Sequence, residues 1–480
     1  MTLPSILQKA SILQKASIIQ KASIIQKARR HRSLAWRITA ACALAVLSLA
    51  APTNASDDDE AAPALRPEDI LANIVVAPSA TGSDRVLPKI AVFPTLASNL
   101  EDVTLRNVVR RDLELCGEFE VLADSAAPDG LYLSDTPVDL DAWKKVGAEA
   151  IVKIAGKTLA NGNVELTGAA YLIDSGKAPV FEDRSEVTAD QVRVESHRVA
   201  DKLIGALTGT DGGFSSQMAF VFGHGKARRA YVIDSDGHDP HPVSPPDQLA
   251  LSPAFGPNHE LFWTASVGKG RFRLFRGGQA APIALVPGGS VYGVAFSRNA
   301  DKVALSIAVG ATIKVFHGPD LEHLSVFSPV ELALHPAWSP NDKLAFSGAG
   351  KWAQRIFVGD KPISPAGLHA SAPVFCRHPD GVRAVYAVGA GKNTDLVATG
   401  ETGGGTVRLT ASQGSNGYPA CSPDGRLVAF FSTRTSGDGP GLYVMRLDGS
   451  RPRRVSPLVG DSLRWARLPA GRVARLPEAD

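Results

Sequence analysis

The sequence predicts a small α/β domain followed by an all-β six-bladed propeller. Three observations predict it. Short β-branched runs alternate with helically spaced apolar residues between 89 and 212, one segment recurs six times across the C-terminal half, and strand signals are shared unequally between the two ends of that array.

Residues 1–55 stand outside the fold. A hexad (SILQKA, SILQKA, SIIQKA, SIIQKA) fills 5–28. Each hexad advances a helix by about 600°, so the apolar pairs spread over three faces. It reads as a coding duplication or an early start codon rather than as an amphipathic helix. Arg29, Arg30, Arg32 and Arg37 then precede an apolar run from Ile38 to Ala51, with Thr53 and Ala55 as small residues. That is a secretory leader, cleaved between Ala55 and Ser56 and leaving no inserted span. Residues 56–88 form a flexible extension opening on Asp57-Asp58-Asp59-Glu60.

The α/β domain is expected over 89–212. Ile90–Phe93, Phe119–Leu122 and Ile151–Ile154 read as strands, and Val164–Leu166 and Ala170–Ile173 as two more. Helices are expected over 101–115, with Gly117 as C-cap, over 140–146, and over 189–207.

The propeller is expected over 213–470, with 471–480 as a tail. The repeat contains an aromatic slot at Phe255, Phe296, Trp338, Phe375, Cys421 and Trp465, spaced by 41, 42, 37, 46 and 44 residues. That period fits a four-stranded blade. Ser422-Pro423-Asp424-Gly425 is a type I turn in which Gly accepts positive φ. The second and sixth copies lack the Pro and Asp-Gly signature, and Cys421 replaces the aromatic residue in the fifth. Three strand candidates (219–222, 230–233, 241–244) precede the first copy and one short strand follows the sixth, so the two ends complete one blade.

Sharper chemistry is not supported. His238 and His241 lie in a Gly/Pro hairpin and read as a solvated turn rather than a metal site. Gly389–Thr394 lacks the spacing and hydroxyl of a phosphate loop, and no G-x-S-x-G elbow exists. Cys376 and Cys421, in neighbouring blades at nearly equivalent heights, are read as buried thiols ahead of the alternative of a disulfide, because packed sheets stand about 10 Å apart. Lys plus Arg number 51 against 48 Asp plus Glu, but 1–55 holds eight basic residues and no acidic one. The mature chain thus has 43 basic and 48 acidic residues, a net charge of −5 that disfavours nucleic acid as a partner.

The domain order, the repeat, and Ile74-Val75-Val76 followed by Gly82–Arg85 and Lys89–Pro94 resemble the TolB family of Tol-Pal propeller proteins. The resemblance implies a periplasmic, monomeric, non-catalytic scaffold without a cofactor, serving outer-membrane integrity and constriction at division. It further implies a Pal-like peptidoglycan-associated lipoprotein as partner of the loops that lead into the repeat. Those are Ala250, Leu251 and Ser252; Ser290, Val291, Tyr292 and Gly293; Leu334 and His335; Ser371 and Ala372; and Asn416 to Tyr418. A TolA-like inner-membrane protein is implied as partner of Ile74, Val75 and Val76, a segment that is either free or folded back. The alternatives are a propeller-based lyase or hydrolase and an orphan propeller binding module.

Overall fold

The computed structural model describes residues 66–78, 86–327, 329–349, 353–378, 380–390 and 393–469. The hexads, the leader, the cleavage point Ala55/Ser56, the acidic segment, Gly82–Arg85 and the tail lie outside the described residues.

A short helix α1 (Pro67–Ala72) comes first, with Pro67 in its first turn. Strand β1 (Lys89–Val92) leads into α2 (Leu100–Leu115). The Asn99 side chain accepts from the Asp102 N–H, and Glu101 and Asp102 complement the dipole of α2. Then follow β2 (Glu120–Val121), α3 (Leu140–Lys145), β3 (Ala150–Thr158), β4 (Val164–Leu172), β5 (Phe181–Val187) and α4 (Val192–Thr208), which ends at Gly209 with φ 81°. The sheet order is β2-β1-β3-β4-β5, parallel around β1 and antiparallel beyond β3. Helices α2 and α4 bury Leu105, Val109, Val199 and Leu203 on one face, while Trp143 of α3 covers Phe93 and Ile151 on the other.

Two expectations are corrected here. The runs at 164–166 and 170–173 are one strand, β4. Gly168, between the two runs, marks a close approach, since a Cβ there would lie 2.7 Å from Val199 Cγ1 of α4. Strand β5 was not anticipated, because its alternate residues are charged and none of them is buried.

The remaining strands make six blades. The first three are β6 (Ser216–Phe222), β7 (Arg229–Asp234) and β8 (His241–Pro242). Blade 1 is β9 (Gln248–Phe255), β10 (Leu261–Val267) and β11 (Arg273–Arg276). Blade 2 is β12 (Ser290–Phe296), β13 (Val303–Val309), β14 (Thr312–Gly318) and β15 (Ser325–Val326). Blade 3 is β16 (Ala333–Trp338), β17 (Leu344–Ala349), β18 (Gln354–Val358) and β19 (Lys361–Pro362). Blade 4 is β20 (His369–His378), β21 (Gly381–Ala390), β22 (Asn393–Gly400) and β23 (Val407–Arg408). Blade 5 is β24 (Asn416–Cys421), β25 (Leu427–Ser432), β26 (Gly441–Arg446) and β27 (Arg453–Ser456). Strand β28 (Asp461–Arg467) pairs with β6, so blade 6 is β28-β6-β7-β8 and joins the two ends of the array as the strand count implied. The repeat-bearing strands β9, β12, β16, β20, β24 and β28 touch in a closed cycle and form the inner ring around the axis.

The thiol expectation is overturned. Cys376 of β20 and Cys421 of β24 form a disulfide, with Cα atoms 5.4 Å apart. The 10 Å separation of packed sheets does not apply at the inner edge, where wedge-shaped blades converge. Cys116 remains a free, buried thiol. No described helix is long and apolar enough to cross a membrane.

Candidate functional site

Every inner strand carries a β-bulge three or four residues before its aromatic slot. The register shifts opposite Thr264/Ala265 in blade 1, between Val291 and Gly293, Leu334 and Ala337, Ser371 and Val374, Gly417 and Ala420, and Asp461 and Arg464. His335, Ala372, Tyr418 and Ser462 hold the extra residue at φ 50°, 53°, 52° and 57°. A left-handed conformation costs a side-chain-bearing residue about 1–2 kcal/mol, and Pro336, Pro373 and Pro419 follow three of the four. Bulges re-aim side chains. Because all six inner strands run in the same sense, these bulges form a ring near one mouth of the channel.

This ring contains the residues expected to meet the lipoprotein. Leu251, Ser290, Tyr292, Leu334, His335, Ser371 and Tyr418 are half-buried. Ala250, Ser252, Val291, Gly293, Ala372 and Asn416 are buried and support them. His335 Nδ1 lies 3.2 Å from Ser347 Oγ, which also accepts the Ala372 N–H across the blade boundary. Ser347 is fully buried and His335 has no carboxylate partner among the described residues, so the pair links blades rather than activating a nucleophile. Burial, helped by Arg464, pushes the His335 imidazole down to about 4, so it is neutral near pH 7. Burial, seconded by Asp461, raises the Tyr418 phenol.

Sequence reasoning missed Arg228, Asp461, Ser462 and Arg464 here. Arg228 Nη1 pairs with Asp461 Oδ2 at 2.8 Å beside the Ala250 carbonyl. Ser462 was legible, standing three residues before Trp465 as His335 does before Trp338. The Arg228 pairing, spanning more than 230 residues, was not.

The Ile74–Val76 segment lies on the outer edge of blade 4. The Arg408 N–H donates to the Val75 carbonyl and the Ala77 N–H to the Arg408 carbonyl, extending the sheet beyond β23. Leu71 is buried in the blade 3/4 core, joined by Ile70 and Ile74, while Val75 is exposed. Arg408 is tied to buried Asp395 (Nη2–Oδ2 2.5 Å), which also accepts from Thr410 and, at 3.5 Å, from Asn416 Nδ2.

A second charged cluster joins the two domains. His197 Nδ1 lies 2.6 Å from Asp112 Oδ2, and Arg193 binds Asp234 (3.0 Å) and Asp236 (2.5 Å). His197, Asp234 and Asp236 have the proximity of metal ligands. Arg193 already occupies both carboxylates, however, so the cluster reads as an ion network. Burial lifts Asp112 to about 7, and although burial alone would lower His197, Asp112 and Asp236 raise it to about 9. His238 and His241 stay in their hairpin, His241 Nδ1 beside the Asp239 carbonyl.

A family model described as the TolB amino-terminal domain matches residues 80–178. The Tol-Pal system protein TolB of Thiobacillus denitrificans is 34% identical over 155 residues, 32% of this chain and 35% of that protein. That of Geobacter sulfurreducens is 29% identical over 151 residues, 32% and 34% of the two chains. The chain thus matches about a third of the length of these curated relatives. The crystal structure of TolB from Acinetobacter baumannii shares the fold, with a TM-score of 0.63 at 19% identity over 80% of this chain and 97% of that one. These likenesses bear out the resemblance read from the sequence.

Proposed function

We propose, proceeding from this likeness to TolB, that the chain is a periplasmic, non-catalytic scaffold of the Tol-Pal kind, coupling outer-membrane constriction at division to the inner membrane. The bulged mouth binds a Pal-like lipoprotein, and Ile74-Val75-Val76 binds a TolA-like protein. One observation carries the reading: six bulges, three or four residues before each aromatic slot, place Leu251, Tyr292, His335 and Tyr418 toward the same end of the inner strands. A half-buried ring of aromatic and apolar side chains over a rigid scaffold suits protein docking. The N-terminal segment occupies a sheet edge, so a TolA-like partner engages it after release or by sharing its exposed face. Cross-linking of the mature chain to the cognate Pal-like lipoprotein tests this. Cross-links at Tyr292, His335 and Tyr418 are expected, and cross-links confined to the outer strands of the blades would overturn the assignment.

A further inference from the structure

The opposite mouth has its own pattern. Two residues after the aromatic slot the blades carry, in order, Pro257, Arg298, Pro340, Arg377, Pro423 and Arg467. The alternation is complete: blades 1, 3 and 5 keep the turn proline, and blades 2, 4 and 6 replace it with arginine. The inner strands form a closed ring, so alternate members stand about the axis in threefold fashion, at the strand ends remote from the bulges.

The three guanidinium groups are exposed, and among the described residues no hydrogen bond or ion pair holds the side chain of Arg298 or Arg377. Arg467 donates to the Gly212 carbonyl at 2.9 Å and stands 4.0 Å from Asp201, whose oxygens already accept the Phe214 and Ser215 N–H groups. Arg298 titrates below its ordinary range, through burial and then through the charges of Arg377 and Arg467. Half-buried Arg464, three residues before Arg467 on β28, donates to the neighbouring Leu463 carbonyl. Like charges gathered at one mouth repel unless an anion completes them, since Asp201 comes no closer to Arg467 than 4.0 Å, and guanidinium forks match the oxygens of phosphate and carboxylate groups.

We propose that this mouth is a binding site for a small multivalent oxyanion, a phosphate ester or a polycarboxylate, held by Arg298, Arg377 and Arg467. The three positions lie at the ends of alternate strands around one axis, an arrangement that fits a compact ligand better than a membrane surface. The site is independent of the scaffold reading, since it lies at the other end of the channel.

Calorimetric titration of the mature chain with inorganic pyrophosphate, and separately with citrate, tests it. Saturable binding of at least one is expected, weakened about tenfold or more in Arg298→Ala/Arg377→Ala and partly restored in Arg298→Lys/Arg377→Lys. The exposed-loop variant Lys269→Ala is expected to bind as the parent does. Preference for pyrophosphate over citrate would assign a phosphate ester, and the reverse a polycarboxylate. Without ligand, the double alanine variant should melt no lower than the parent, because it relieves repulsion. Three results would each overturn the proposal: no saturable binding of either anion, equal binding by the alanine variant, or Arg298-dependent binding only to phosphatidylglycerol vesicles.

Discussion

His335 and Tyr418, two blades apart, meet edge to face with ring centroids 6.4 Å apart and planes at 73°. They reach one another past blade 4, whose equivalent residue is the small Ala372. Both stand on left-handed bulges, so the backbone rather than a flexible loop sets their positions.

Replacing either ring with alanine should therefore weaken capture of a Pal-like lipoprotein by about tenfold or more, the effect expected of a central aromatic anchor, while the melting temperature changes little. With the imidazole titrating at about 4, affinity should be flat between about pH 6 and 8. Surface plasmon resonance across that range checks both points, and a transition near 6.5 would show that His335 is not desolvated.

Asp395→Asn should loosen the N-terminal segment. Removing one partner of a buried ion pair costs about 3 kcal/mol, and Arg408, whose backbone bonds Val75 and Ala77, loses its anchor. Hydrogen exchange at the Ala77 amide is expected to accelerate relative to the strands of blade 2. Unchanged exchange would mean that the edge pairing and the burial of Leu71 suffice.

The junction should weaken in alkali. The His197 pKa is raised from 6.5 to about 9, so the folded state holds a proton that the unfolded state releases. This contribution is complete below about pH 6.5 and is lost as pH rises through about 9. Asp112, raised from 3.8 to about 7, also favours the folded state at low pH, but its contribution is lost earlier, as pH rises through about 7. Melting curves at successive pH values should show this decline, and His197→Gln should flatten it.

Cys376→Ser/Cys421→Ser should lower stability by about 4 kcal/mol, the loop-entropy value for a closed loop of this size, given a sequence separation of 45. Dithiothreitol should lower the parent's melting temperature and leave the variant's unchanged.

The blade count and the closing blade were legible because each copy repeats its own turn chemistry, and because strands at 219–222 and 230–233 lacked partners of their own. The Cys376–Cys421 bond was not, since a period locates equivalent heights but not how closely inner edges converge. Helix α1 escaped notice because it is one short turn whose Arg66 cap makes no side-chain bond. Asp112 and His197, 85 residues apart, carry no local pattern at all. The arginine alternation was readable in principle, at two residues beyond the slot, once copies lacking proline are treated as informative rather than decayed.

The pairing of β28 with β6 sets a timetable for folding. Asp461 lies opposite Val221, so the last blade closes a loop of some 240 residues. Until Arg467 is available, β6 lacks the partner that completes its sheet, and blades 1 to 5 can only stack as an open arc. Ring formation is therefore the final event in building the propeller. Neither the bulged mouth nor the arginine mouth exists as a surface until nearly the whole described chain has been made.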